Sequence, residues 1–144
     1  MTGINKTALI PYSAAKMYDL VADVDSYQHF LPWCGDSKIL SQTDDEVQGQ
    51  VRIQHMGMDK TFTTLNRMQK NKMIEIRLID GPFKQLQGFW RFDSLDENAC
   101  KISLDLEFEF SNKIMSLAFG PIFSQIANSM VDAFCKRAIA VYGQ

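Results

Sequence analysis

Apolar and polar residues alternate with a period of two through the middle of the chain, from about Lys38 to Phe110. The clearest run is Cys100 to Phe110, in which every even-numbered residue is apolar and every odd-numbered residue is polar or charged. Shorter alternating runs start at Val51, Ile74 and Leu86. Alternation of this kind is typical of strands in an antiparallel sheet that is covered on one face and exposed to water on the other.

Residues that favour tight turns separate these runs. They are Gly57, Asn71, the Gly81-Pro82 pair and Asn98. A further strand is predicted from Ile4 to Ile10, where Pro11 ends it. Together the runs predict an antiparallel sheet of about six or seven strands.

Two helical segments are predicted between the first strand and the rest of the sheet. Ser13 is placed to cap a short amphipathic helix that extends from Ala14 to about Asp23. The aromatic segment Tyr27 to Trp33 follows it. Because Pro32 prevents a long helix there, we expect a short helical turn or a loop.

A long C-terminal helix is predicted between Asn112 and Tyr142. Its apolar face is formed by Met115, Phe119, Ile122, Ile126, Met130 and Ala133. Because proline lacks a backbone N–H, we expect a kink or a break at Gly120-Pro121. The chain is thus predicted to form a single α+β domain over residues 1–144.

This arrangement predicts an internal cavity. A sheet of six or seven strands is roughly 25–30 Å wide at about 4.8 Å per strand, whereas a helix is only about 10–12 Å in diameter. A flat sheet would therefore leave apolar surface in water, so we expect it to curl around the long helix. The curled sheet and the helix would enclose space that side chains do not fill, which suits an apolar ligand.

Eleven residues are candidates for contact with such a ligand, because they lie on the predicted apolar faces or beside predicted turns. They are Phe30, Leu31, Trp33, His55, Phe83, Trp90, Met115, Phe119, Phe123, Ile126 and Met130. Methionine is flexible and adapts to irregular guests. The alternative is that these side chains fill a solid core, and the sequence leaves that alternative open.

Composition narrows the class of partner. The formal net charge of −2 gives no general attraction to DNA, other phosphate backbones or anionic membranes. The three cysteines are widely spaced and match no metal-binding pattern, which favours reduced thiols in an intracellular protein. We find no secretory signal and no apolar run near the roughly 20 residues of a membrane span.

No residue pattern typical of catalysis is present. The sequence shows no nucleophile–histidine–acid arrangement, no phosphate-binding loop and no metal motif. Asp105, Glu107 and Glu109 are predicted to lie on the wet face of their strand, away from the cavity. We therefore expect a binding protein with no catalytic residues and no metal.

Four segments resemble the coenzyme Q-binding family of START-like, helix-grip proteins, which is grouped with polyketide cyclases and lipid-transport proteins. They are residues 8–13, 24–34, 80–86 and 106–113, and the most specific are Tyr-x-x-Phe-Leu-Pro-Trp-Cys and Asp-Gly-Pro-Phe-Lys. The resemblance implies ubiquinone or a similar isoprenoid lipid as a bound ligand, although no cofactor is required. It also implies support of respiration and a peripheral association with the inner membrane. His55, which shares strand parity with Val51 and Ile53, is then a candidate to hydrogen-bond a quinone carbonyl.

Within this family the chain most resembles the short bacterial members that act as ribosome association toxins. That resemblance implies binding to the large ribosomal subunit, a block of subunit joining, and an antitoxin partner. Phosphate contacts would require a basic surface. The most basic stretch contains Arg52, Lys60, Arg67, Lys70 and Lys72, against the single acidic residue Asp59. An ordinary solvated face explains this stretch equally well.

We therefore expect non-enzymatic binding of a hydrophobic ligand by a cytoplasmic protein, linked by resemblance to respiration and to ribosome association. The alternative is a polyketide cyclase-type enzyme that acts on an aromatic substrate.

Overall fold

The computed structural model of the protein describes residues 2–143, which form seven strands and three helices. The strands are β1 (Thr2–Ile10), β2 (Cys34–Gln42), β3 (Glu46–His55), β4 (Met58–Gln69), β5 (Met73–Asp80), β6 (Phe83–Asp96) and β7 (Ala99–Phe110). The helices are α1 (Ala14–Ala22), a 3₁₀ helix (Val24–His29) and α2 (Lys113–Tyr142). The predicted α+β class is confirmed.

The seven strands form one antiparallel sheet in the order β1-β7-β6-β5-β4-β3-β2. Strands β2 to β7 follow one another as a meander, and β1 pairs with β7, with Ile10 opposite Cys100 and Thr2 opposite Phe108. The alternation that predicted β7 holds along its length, since all six even-numbered residues from Cys100 to Phe110 are buried. The predicted strand number and the one-sided cover of the sheet are therefore confirmed.

The turns lie where the sequence predicted them. The β3–β4 turn contains Met56 and Gly57 with φ angles of 50° and 86°, and the β4–β5 turn contains Asn71 with a φ of 64°. Glycine and asparagine tolerate this left-handed region, which short hairpins require.

The short helices also follow the sequence. The Ser13 side chain accepts a hydrogen bond from the backbone N–H of Lys16 at 3.2 Å and so caps α1. The 3₁₀ helix ends at His29, before Pro32. The prediction of a short helical turn in the aromatic segment is confirmed.

The helix α2 continues through Gly120-Pro121, so the predicted alternative of a break at this pair is wrong. Pro121 cannot donate a hydrogen bond to the carbonyl of Leu117, one turn earlier. Leu117 is 72% exposed, so water can satisfy that carbonyl and the helix continues.

The concave face of the sheet holds α2, but not symmetrically. The helix packs most closely on β1, β7 and α1. Its buried side chains are Phe123, Ile126, Ala127, Val131, Phe134 and Ala138. The backbone of α2 approaches β3, β4 and β5 less closely, and a space remains between them.

Candidate functional site: an apolar cavity between the sheet and α2

A cavity of about 100 Å³ lies between the concave face of the sheet and α2. Strands β3 to β7 line it with Gly49, Val51, Phe62, Thr64, Asn66, Ile74, Ile76, Leu86, Trp90, Leu104 and Leu106. The helical side contributes Val21, Val24, Tyr27, Trp33, Phe123, Ile126, Ala127 and Met130. The space therefore lies where the mismatch between a wide sheet and a single helix predicts it.

The walls are apolar, and the residues 2–143 that form them include no Asp, Glu, Lys, Arg or His side chain. Strand parity explains this, because on β3, β5, β6 and β7 the inward positions carry the apolar members of each alternating run. A charged group on a bound molecule would be desolvated here without a partner, which is strongly unfavourable. The cavity is therefore suited to a neutral occupant.

The cavity contains few polar groups. The Tyr27 hydroxyl donates a hydrogen bond to the backbone carbonyl of Val21, and burial raises the pKa of Tyr27 far above its usual value. The Thr64 hydroxyl donates to Asn66 Oδ1 at 2.9 Å. In contrast, Trp33 Nε1 is buried and has no hydrogen-bond acceptor among the described residues.

Five of the eleven predicted ligand residues lie in the cavity wall. They are Trp33, Trp90, Phe123, Ile126 and Met130. The remaining six, Phe30, Leu31, His55, Phe83, Met115 and Phe119, lie outside it.

Three of these six are packed into other parts of the core. Leu31 is 2% exposed and belongs to the main hydrophobic cluster. The ring of Phe83 stacks on Phe110 with 4.7 Å between centroids, and Phe30 meets Phe134 edge to face at 5.3 Å. These side chains fill space, as the alternative interpretation of apolar residues proposed.

The other three lie towards the end of the domain where α2 begins. Met115 and Phe119 are half-buried in the first turns of α2, and Lys60 Nζ lies 5.7 Å from the Phe119 ring centroid. His55 is the last residue of β3, half-buried next to the Met56-Gly57 turn. His55 lies on the concave face of the sheet, as its alternation with Val51 and Ile53 predicted, and it pairs with the buried Met58. Because β3 ends at His55, the side chain lies beyond the residues that line the cavity.

The cavity residues on β4 were missed by sequence reasoning. The inward positions of β4 include Lys60, Thr64 and Asn66, so the apolar alternation is interrupted. The pairing of β3 with β4 identifies these residues as inward-facing. Phe62 lies opposite Val51 and therefore shares its concave face. Gly49 was missed because glycine has no side chain to mark an apolar position. The methyl groups of Val24 occupy the space beside it, 3.4 Å from where a Cβ of residue 49 would lie.

Groups with catalytic potential do not meet at the cavity. Asp105, Glu107 and Glu109 project from the convex face of β7, where Asp105 Oδ2 accepts a hydrogen bond from Asn5 Nδ2 at 3.3 Å. Within residues 2–143 no group of three or more His, Cys, Asp or Glu side chains could hold a metal ion.

The burial of all three cysteines favours the protonated thiol. Burial raises the pKa of Cys34 and Cys135, and raises that of Cys100 to about 11. The thiolate is the reactive form of cysteine, so these pKa shifts favour unreactive side chains.

The basic residues predicted to face a ribosome do not form one patch. Arg52 makes two hydrogen bonds of 2.8 Å to Asp59, and Arg67 pairs with Glu46 at 3.6 Å. Lys60 points to the concave side beside Phe119, whereas Lys70 and Lys72 lie at the β4–β5 turn. At about 3.3 Å per residue, Lys60 and Lys70 are roughly 30 Å apart along the strand. These five residues therefore do not share one surface, because strand direction separates residues that are near in sequence, and their contact with a ribosome stays a prediction.

The helix α2 is long and apolar enough to cross a membrane by length and composition alone, and 22% of its most apolar stretch is buried in the fold. A core helix of a soluble protein passes the same test. Ile114 and Leu117, in the first turns of α2, are 80% and 72% exposed.

Comparison with known proteins gives the same family as the resemblance in sequence. The family model described as polyketide cyclase/dehydrase and lipid transport matches residues 10–135. The ribosome association toxin RatA of Escherichia coli K12 is 49% identical over 142 residues, which cover 99% of this chain and 90% of that protein. The mitochondrial coenzyme Q-binding protein COQ10 homolog B of Xenopus laevis is 27% identical to this chain. The match covers 97% of this chain and 59% of that protein.

Solved structures share the fold. The Zhui aromatase/cyclase from Streptomyces sp. R1128 superimposes with a TM-score of 0.82 at 16% identity, covering 99% of this chain and 98% of that chain. A START superfamily protein from Mycobacterium smegmatis gives a TM-score of 0.69 at 18% identity, with coverage of 93% and 92%. At these identities the likeness is one of fold. The match of the family model over residues 10–135 and the 49% identity to RatA show that the chain belongs to the polyketide cyclase/dehydrase and lipid transport family, with RatA proteins among its relatives.

Proposed function

We propose that the protein binds one neutral hydrophobic molecule, ubiquinone or a similar isoprenoid lipid, in the cavity between the sheet and α2. The observation that carries the proposal is a cavity of about 100 Å³ whose walls contain no charged side chain. The name of the coenzyme Q-binding relative supports a quinone as the guest.

The size of the cavity fits the head of such a molecule. A cavity of about 150 Å³ in an engineered protein holds a benzene ring, so a space of this order suits a single ring. A long isoprenoid tail requires a route out. The side of α2 that faces β3, β4 and β5 offers that route, because the helix packs most closely on β1, β7 and α1.

We further propose that binding occurs without chemical turnover. Tyr27 is the one tyrosine in the wall, and its hydroxyl is already bonded to the Val21 carbonyl. A cyclase needs a positioned acid, base or nucleophile at its substrate. The likeness to aromatase/cyclases is one of fold, so it does not favour that reaction here.

Ligand binding is tested by native mass spectrometry of protein purified without detergent, followed by organic extraction and identification of the released molecule. We expect a mass increment of one bound lipid, and an extract that contains a neutral isoprenoid. Protein that carries no ligand, and that takes up no ubiquinone when it is added, would contradict the proposal.

Association with the large ribosomal subunit is a second proposed role, and the 49% identity to E. coli RatA favours it. It would place the protein in the cytoplasm with an antitoxin as a further partner. Sucrose-gradient profiles of ribosomes with and without added protein test this role. Since the basic residues lie in separate places, K70E/K72E and K60E are compared as independent variants.

We expect K70E/K72E, at an exposed turn, to reduce co-sedimentation with the large subunit more than K60E, whose ammonium group lies against Phe119. Unchanged co-sedimentation of both variants would exclude these lysines from the contact. An absence of any co-sedimentation by the unmodified protein would exclude the role itself.

A further inference from the structure

Trp33 carries the one buried indole N–H that lacks an acceptor within residues 2–143, and it is a member of the cavity wall. Trp33 is 6% exposed, so bulk water does not accept a hydrogen bond from the indole N–H. Buried polar groups in native proteins almost always have a hydrogen-bond partner, and an exception calls for a missing one.

The backbone around Trp33 is held on both sides. The carbonyl of Trp33 accepts a hydrogen bond from the N–H of Gln54 on β3 at 2.8 Å. The next residue, Cys34, donates its N–H to the carbonyl of Leu31 at 3.0 Å. The indole is therefore presented from a fixed backbone, as a preorganised donor should be.

The remaining polar groups of the wall do not supply the missing acceptor. The Thr64 hydroxyl is bonded to Asn66 Oδ1 at 2.9 Å, the Tyr27 hydroxyl is bonded to Val21, and none of the three side chains accepts a hydrogen bond from Trp33 Nε1. A buried water needs two to four polar partners, and apolar side chains form most of this wall. A ligand atom is the partner that fits.

We propose that Trp33 Nε1–H donates a hydrogen bond to an acceptor oxygen of the bound molecule, and that the ligand is a neutral, largely apolar molecule with a carbonyl group, such as a quinone. This inference rests on the proposed function. The described wall residues include no cation, so a carboxylate ligand is disfavoured. A carbonyl oxygen accepts without adding a donor of its own, which an alcohol or an amine would bring.

Two probes with the same carbon skeleton separate the hydrogen bond from apolar burial: 2-geranyl-1,4-benzoquinone, which has carbonyl groups, and geranylbenzene, which has none. Their dissociation constants are measured by titration of the full chain, for the unmodified protein, W33F and F123L. Phenylalanine at position 33 keeps an aromatic ring but removes the N–H. Leucine at position 123 shortens an apolar wall residue, Phe123, that has no polar group.

We expect W33F to weaken binding of the quinone about three- to tenfold, the range of one neutral hydrogen bond, with little effect on geranylbenzene. F123L should weaken both probes by a similar factor. If W33F weakens both probes equally, the indole acts by packing and the inference is wrong. If the unmodified protein binds neither probe, the proposed function itself fails.

A second measurement does not depend on the folding of W33F. The indole N–H resonance of Trp33 is followed by NMR in the unmodified protein and distinguished from that of Trp90 with W90F. Addition of the quinone should shift this resonance downfield, whereas geranylbenzene should leave it nearly in place. A Trp33 resonance that responds equally to both probes would overturn the hydrogen bond.

Discussion

The ring of Phe134 on α2 meets the indole of Trp90 on β6 edge to face, with 5.3 Å between the ring centroids. Phe134 also lies 5.3 Å from Tyr27 in the 3₁₀ helix and is fully buried. One side chain thus joins the long helix, the sheet and the segment that closes the cavity.

Substitution of Phe134 by alanine should therefore be severe. Removal of a buried phenylalanine costs about 3–5 kcal/mol of unfolding free energy, because apolar contact is lost and a cavity remains. Urea denaturation of F134A measures this loss. F119A is the matched control, since Phe119 is half-buried on the same helix and should cost clearly less. Equal losses would show that Phe134 does not link the three elements.

Gly88 should not tolerate any side chain. A Cβ on Gly88 would lie 2.0 Å from the carbonyl oxygen of Asp105 on β7, and backbone atoms cannot move aside without disturbing the β6–β7 pairing. We expect G88A to lower the unfolding free energy by more than about 2 kcal/mol, or to prevent folding.

Gly120 provides the control for Gly88, because a Cβ there meets only Ser116 Oγ at 3.9 Å. The better helix propensity of alanine is offset by its crowding of Pro121, so G120A should change the unfolding free energy by less than about 1 kcal/mol. Thermal unfolding of the two variants separates the cases, and a G88A protein as stable as G120A would contradict the close approach.

A larger side chain at Ala127 should fill the cavity. Ala127 is buried in the wall, so the leucine of A127L can occupy the adjoining space. We expect stability within about 1.5 kcal/mol of the unmodified protein but no lipid in native mass spectra. A118L, at an exposed position of the same helix, should retain the lipid. Lipid bound equally to both variants would place the ligand outside this cavity.

Stability should fall in alkali because of the buried thiols. The pKa of Cys100 is raised to about 11 in the folded protein, above its ordinary value of about 8.5 in an unfolded chain. Below about pH 8.5 both states keep the proton and the contribution is complete. Between these two pKa values the unfolded chain loses the proton first, so the unfolding free energy decreases as pH rises.

Urea midpoints measured from pH 8 to pH 11 test this prediction. The variant C100A should show a shallower decrease than the unmodified protein, because one of the raised thiol pKa values is absent. An identical slope in the two proteins would assign the alkaline effect to the other thiols and to tyrosines.

The sheet was predictable from sequence because most strands have one dry and one wet face. In β7 the alternation identified each inward residue, and turn residues such as Asn71 marked the strand ends. In β4 the inward Thr64 and Asn66 border the cavity, where apolar packing is incomplete, so the periodic signal weakens beside the site.

The existence of the cavity was predictable because the sheet is wider than the single helix that covers it. The residues that line the cavity were only partly predictable. Trp33 and Met130 line it, but Leu31 and Phe83 are packed into solid core. Both kinds of position bury apolar area, and sequence patterns report burial rather than the presence of a neighbouring void. Whether His55 reaches the cavity depends on where β3 ends, and the end of a strand is the feature that sequence patterns predict least well.

The helix α2, which completes the concave face of the sheet, follows all seven strands in the sequence and so leaves the ribosome after them during synthesis. Until it docks, the inward residues that α2 buries have no cover, although every hairpin of the meander can already pair. The nascent protein should thus pass through an intermediate with an exposed hydrophobic concave surface. Chaperones recognise such intermediates, which aggregate when chaperones are scarce. Its yield in cells should therefore depend on how soon the thirty residues of α2 follow the sheet.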